Sequence, residues 1–135
     1  MSAPFAWSQF LSLSEELGTR ADEASLRSAI SRAYYYVYHL ALKRAVENGF
    51  IVVAGGVHIQ LWRLFLENPE PDCKRLGTIA GRMKRQRERA DYEDVFARLG
   101  EEVTPMLADA REFASILLRL PARHPNPKAM RQVAQ

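Results

Sequence analysis

The sequence holds a single cysteine, Cys73, in 135 residues. That excludes a disulfide framework and a cysteine-based zinc site, and it fits a reducing cytoplasm. No apolar run reaches the roughly 18 residues that a membrane span needs, so no membrane association is expected. Residues 2–17 are partly apolar, but they lack a cationic start and are interrupted by Gln9, Glu15 and Glu16. They do not read as a signal peptide. Strand signals are nearly absent. Only residues 50–53 form a compact β-branched run, bounded by Gly49 and by Gly55-Gly56, and four residues are too few for a sheet. No internal repeat and no low-complexity tract is present. There is no glycine-rich phosphate loop, and no serine lies in a nucleophile-elbow pattern. Glu15, Glu16, Glu101 and Glu102 do not make a metal set. Most hydrolases, kinases and dehydrogenases are thereby excluded, and no metal or other cofactor is expected.

What remains is the composition of one soluble globular domain, 47% apolar and 26% charged. The apolar residues recur with helical period and predict five helices. The first covers about 4–17, with Trp7, Phe10, Leu11 and Leu17 on one face and Gly18 to end it. The second, about 23–48, starts at the N-cap Asp22 and stops at Gly49. Its stripe is Leu26, Ala29, Ile30, Ala33, Tyr34, Val37, Leu40, Ala41 and Ala45. The third runs from about 57 to 67, apolar over a wide arc. The fourth spans about 72–91, with Leu76, Ile79, Ala80, Met83 and Ala90 on one side. The fifth is predicted to start at a Thr104 cap with Pro105 in the first helical position, and to end near Leu120. Its expected apolar residues are Leu107, Ala110, Ala114, Leu117 and Leu118. Short connections give an all-α, up-and-down helical bundle over residues 1–120. Residues 121–135, with three prolines and few large apolar groups, are expected to be a disordered basic tail.

The net charge of +3 is unevenly placed. Residues 69–91 hold seven Lys/Arg and four Asp/Glu, whereas residues 92–120 hold three and six. A local basic stripe can meet phosphate, and it can equally be a solvated helix face. Arg87 departs from the pattern. It lies four residues past Met83 and three before Ala90, on the apolar line of its helix. An arginine there must be paired or must face a cleft, because an unpaired buried charge is very costly. Asp91, one turn on, is the nearest partner. Gly77 and Gly81, one turn apart in the same helix, permit either a close helix approach or a frayed helix start. On the second helix, Arg32, Tyr35 and His39 share the face opposite the core stripe. Arginine is a planar phosphate clamp, tyrosine a donor or stacking ring, and histidine exchanges protons near neutral pH. If the two faces meet, they form a polar cleft able to bind a phosphodiester and to help cleave it. Taken alone, the same residues can be a buried polar network that sets helix register. His58, after Gly55-Gly56, reads as structural or exposed.

Residues 26–45, LRSAISRAYYYVYHLALKRA, resemble the long helix of small prokaryotic HEPN-domain proteins. Residues 83–94, MKRQRERADYED, are similar to the R-x-x-A-D-Y segment at the end of a later helix in the same proteins. The likeness covers about residues 22–118 in element order and spacing. It implies an all-α bundle that forms a homodimer, with the polar motifs of two subunits meeting in a shared cleft. It further implies a metal-independent ribonuclease of a toxin–antitoxin, phage-defence or RNA-processing system, with RNA or a nucleotide as ligand. A minimal nucleotidyltransferase or an antitoxin is the implied protein partner. Active family members use an arginine and, four to six residues on, a histidine. Here Arg87 or Arg85 takes the arginine position, and Tyr92 stands where the histidine would be. Tyrosine, with an unperturbed pKa near 10, is a poor general base at neutral pH. His39 is then the candidate acid or base, Arg32 and Arg87 the phosphate clamp, and Tyr35 and Tyr92 orienting groups, with Asp91 beside them. The alternatives are a non-catalytic member that binds RNA or a nucleotide as a regulatory partner module, and a purely structural homodimer.

Overall fold

A computed structural model describes residues 3–128. Among them are five helices and no strand: α1 (Ser8–Leu17), α2 (Glu23–Glu47), α3 (Val57–Glu67), α4 (Pro71–Tyr92) and α5 (Leu99–Arg119). The molecule is an all-α helical bundle, and none of these helices is long and apolar enough to cross a membrane.

The long α2 is the central element, packed against α1, α4 and α5, while α3 lies on α4. Its burial explains its sequence. Ala29, Ile30, Ala33, Tyr34, Val37, Ala41 and Ala45 form the expected stripe, but Ser31, Tyr36 and Tyr38 are buried as well. A helix enclosed on most sides needs more than one apolar face. Asp22 caps it as its residue type suggests, accepting a hydrogen bond from Ser25 N at 3.0 Å. Ser14 Oγ ties α1 to α2 by donating to Ala29 O at 2.5 Å. Trp62, Phe65 and Phe113 join α3 to α5 through ring contacts of 6.1 and 6.4 Å.

Three expectations are corrected. The fifth helix starts at Leu99, not at Thr104, and Pro105 lies inside it. Leu99, Val103, Met106, Ala110, Phe113 and Ile116 are buried at spacings of three and four. That apolar line continues upstream past the proline, and burying it outweighs the one helical hydrogen bond Pro105 cannot make. The buried face is also rotated from the expected one, since Leu118 is 87% exposed. Residues 121–128, read as the start of a disordered tail, fold back on the bundle. Arg44 donates to Leu117 O, Leu120 O, Pro121 O and His124 O at 2.9–3.3 Å, and Pro125 is fully buried. Residues 129–135 lie outside the described residues.

The glycines of α4 part company. A Cβ on Gly77 would lie 2.7 Å from Leu66 Cγ and 3.0 Å from the Leu66 backbone nitrogen, so Gly77 sets the close approach of α3. A Cβ on Gly81 would meet nothing nearer than Arg85 Nη1 at 4.0 Å.

Candidate functional site

Arg87 continues the buried line of α4, after Leu76, Ile79, Ala80 and Met83 and before Ala90, and is itself 7% exposed. Its guanidinium rests on phenol rings. The Cζ atom lies 5.1 Å from the Tyr34 ring centroid, 5.6 Å from Tyr35 and 5.9 Å from Tyr92. Desolvated guanidinium–ring contacts are worth up to about 2 kcal/mol each, which is how the bundle tolerates the charge. The ion pair with Asp91 is long, 3.8 Å from Nη1 to Oδ2. Nε is buried and has no hydrogen-bond partner among the described residues. A carboxylate that fully satisfied this arginine would approach to under 3 Å and engage two nitrogens. Asp91 does neither; it also accepts from Ser31 Oγ at 3.3 Å.

Arg32, Tyr35 and His39 do share a face of α2, and that face meets the end of α4. Together with Ser31, Asp91, Trp7 at the N-cap of α1 and Phe10 within it, they line a cleft of about 560 Å³. Arg32 lies over the Phe10 and Tyr35 rings at 4.9 and 5.6 Å. The His39 ring stacks flat on Trp7, with centroids 3.4 Å apart. Burial lowers the His39 pKa below the ordinary 6.5, so its imidazole is neutral at neutral pH. Tyr92 stands at the rim, 76% exposed.

The structure separates the two arginines between which the motif left a choice. Arg87 faces the tyrosines beside the cleft. Arg85 lines a different groove, of about 360 Å³ between α3 and α4, with Ile59, Trp62, Lys84 and Glu88. The rest of the basic stripe is largely ion-paired. Arg75 and Arg82 meet Glu112 and Asp109 of the acidic α5, while Lys84 and Arg89 pair with Glu88 and Glu93. The stripe is therefore a solvated, compensated helix face.

Several residues of the site carry no signal of their own in the sequence. Trp7 and Phe10 look like ordinary helix-face residues, and only the packing of α1 on α2 turns them into cleft walls. Arg27 is the second. Its Nη1 donates to Ala90 O at 3.0 Å, Glu93 O at 2.6 Å and Arg89 O at 3.4 Å, and its Nη2 to Asp94 O at 3.2 Å. One guanidinium thus closes the carbonyl end of α4 and holds Asp91 and Tyr92 in place. Its partnership with residues 89–94 joins the two motif segments, and nothing in the spacing of either segment points to it. His58 is the third. Tyr34 Oη lies 2.6 Å from its Nδ1, and its ring stacks on Tyr38 at 4.1 Å.

Cys73 is no nucleophile, since burial pushes its thiol up to about 12. Among the described residues, no group of three or more His, Cys, Asp or Glu side chains is placed to hold a metal ion. The chain matches no family model, and no curated protein or solved structure matches it significantly.

Proposed function

We propose that the chain is a HEPN-like, RNA-directed protein whose cleft binds the phosphodiester backbone. In this reading it acts as a homodimer and as a metal-independent endoribonuclease of a toxin–antitoxin or phage-defence system. The observation that carries it is Arg87: a buried guanidinium on tyrosine rings, incompletely paired by Asp91, beside a cleft that also holds Arg32 and a neutral imidazole. Bundle cores do not keep such a charge for stability alone, because an apolar residue there is often neutral or better.

The chemistry that these groups support is internal transesterification. The neutral His39 takes the proton of a ribose 2′-hydroxyl, and the 2′-oxygen attacks phosphorus. The bond to the 5′-oxygen breaks, that oxygen takes a proton from water, and a 2′,3′-cyclic phosphate remains. Arg87 and Arg32 offset the charge that grows on the phosphoryl oxygens.

The second reading is a non-catalytic HEPN dimer that binds RNA or a nucleotide as the partner module of a nucleotidyltransferase or an antitoxin. One observation favours it: the position of the family's histidine is taken by Tyr92, a phenol at the rim of the cleft. End-labelled RNA incubated in EDTA with the protein, and separately with R87A and H39Q, decides between them. Cyclic-phosphate fragments from the wild type alone support the nuclease. Intact RNA that is nevertheless retained in a mobility shift, and released by R87A, supports the binding module. Intact RNA with no shift in any lane overturns both.

A further inference from the structure

His58 opens α3 and faces the tyrosines that carry Arg87. Its ring lies 5.7 Å from Tyr34 and 6.1 Å from Tyr35, the two rings over which the Arg87 guanidinium sits. A directed chain of hydrogen bonds fixes its proton. Trp62 Nε1 donates to Tyr34 Oη at 3.0 Å, and an indole N–H can do nothing else. The Tyr34 hydroxyl then has its own hydrogen to place, and His58 Nδ1 is 2.6 Å away. A donating phenol needs a bare Nδ1, so the ring hydrogen is on Nε2. An imidazolium would put a second donor on Tyr34 Oη and leave the phenol hydrogen without an acceptor among the described residues.

The surroundings act in the same direction. Burial is the first cause that lowers the His58 pKa, followed by the positive charges of Arg87 and Lys84 on α4 and by His39 on α2. Glu88 opposes them weakly. Tyr34, Tyr35 and Tyr38 of α2 present neutral phenols. The position of His58 in the first turn of α3 also disfavours a cation, because the free backbone amides there carry partial positive charge.

We propose that His58 is the second arm of the anion site at Arg87, giving a neutral Nε2–H donor to the phosphate oxygen that Arg87 holds. The inference rests on the reading of this region as a phosphate site, and it adds a residue to that site. His58 binds and does not abstract a proton: one nitrogen carries a hydrogen and the other is tied to Tyr34.

Nitrogen NMR of the full chain, with histidine and arginine side chains observed at neutral pH, tests this directly. The probe is inorganic phosphate at rising concentration. His58 is expected as the Nε2–H tautomer. Phosphate is expected to shift His58 Nε2 and Arg87 Nε along one saturation curve. H58F weakens that binding three- to tenfold, and Y34F gives a mixed tautomer with a similar loss. Phosphate that moves Arg87 Nε and leaves His58 still would keep the anion site and overturn the role of His58. Phosphate that moves neither overturns the phosphate site and this inference together. An imidazolium or an Nδ1–H tautomer at neutral pH overturns the role of His58 alone.

Discussion

At Arg87 stability and function are expected to pull apart. The guanidinium is desolvated, its Nε is unpaired and its carboxylate is distant. Methionine has a similar volume and no charge to bury. R87M is therefore expected to leave the thermal midpoint unchanged or to raise it by a few degrees, by removing a charge whose desolvation is only partly offset. The same variant is expected to lose RNA binding at least tenfold. R87K keeps the charge but not the planar fork that lies on the rings, and it is expected to lose most of the binding as well. A melt that shows R87M destabilised by more than about 3 kcal/mol, the cost of breaking a needed buried pair, would make Arg87 a structural residue and remove the functional reading.

At the scale of elements, α4 offers the cleanest comparison. G77A forces a methyl group against Leu66, including its backbone nitrogen at 3.0 Å, and is expected to cost about 1–3 kcal/mol through overpacking. G81A enters open space and is expected to stabilise by about 0.5–1 kcal/mol, because alanine suits a helix interior better than glycine. Chemical denaturation of the two variants beside the wild type separates them by sign. R44M removes a donor from four carbonyls, of which only Leu117 O and Pro121 O keep a backbone donor, and is expected to make the backbone after Arg123 accessible to trypsin while the bundle stays folded. These elements also mark how far the sequence could be read. Helices α2 and α3 were legible because Asp22, Gly49 and the pair Gly55-Gly56 punctuate a strong period. The start of α5 was not, because a cap-and-proline pattern at Thr104-Pro105 competes there with a longer apolar line that only packing reveals. The shared face of Arg32, Tyr35 and His39, and the misfit of Arg87, are matters of spacing within one helix and were visible in advance. Trp7 and His58 reach the site from other segments, and Arg27, though on α2, acts through carbonyls at the end of α4; no local pattern ties any of the three to the site.

For the whole molecule, the ion-paired stripe on α4 and the two lowered histidines set the response to salt and pH. With most of the stripe ion-paired, to α5 or to Glu88 and Glu93, phosphate contact falls to Arg32 and Arg87. A single strand loses roughly 0.7 in slope per phosphate contact, so binding is expected to fall with a log–log salt slope of about −1.4 per cleft. A slope of −4 or steeper would move the interface to the stripe. His39 and His58 both hold protons less readily when folded than the ordinary 6.5, burial being the main cause for each. Below that value the unfolded chain binds more protons than the native one, so stability is full above about pH 6.5 and falls as the pH drops further. Urea midpoints measured between pH 8 and pH 5 are expected to decline, and to decline less for the double variant H39Q/H58Q. The flat stack of Trp7 on His39 gives the molecule its own optical readout of this titration. An excited indole passes an electron to a cationic imidazole far more readily than to a neutral one, and at 3.4 Å the two rings are in contact. In a W62F background, Trp7 emission is expected to dim as His39 takes its proton and to recover as it is released. The cleft would then report its own charge state as light, with no label attached.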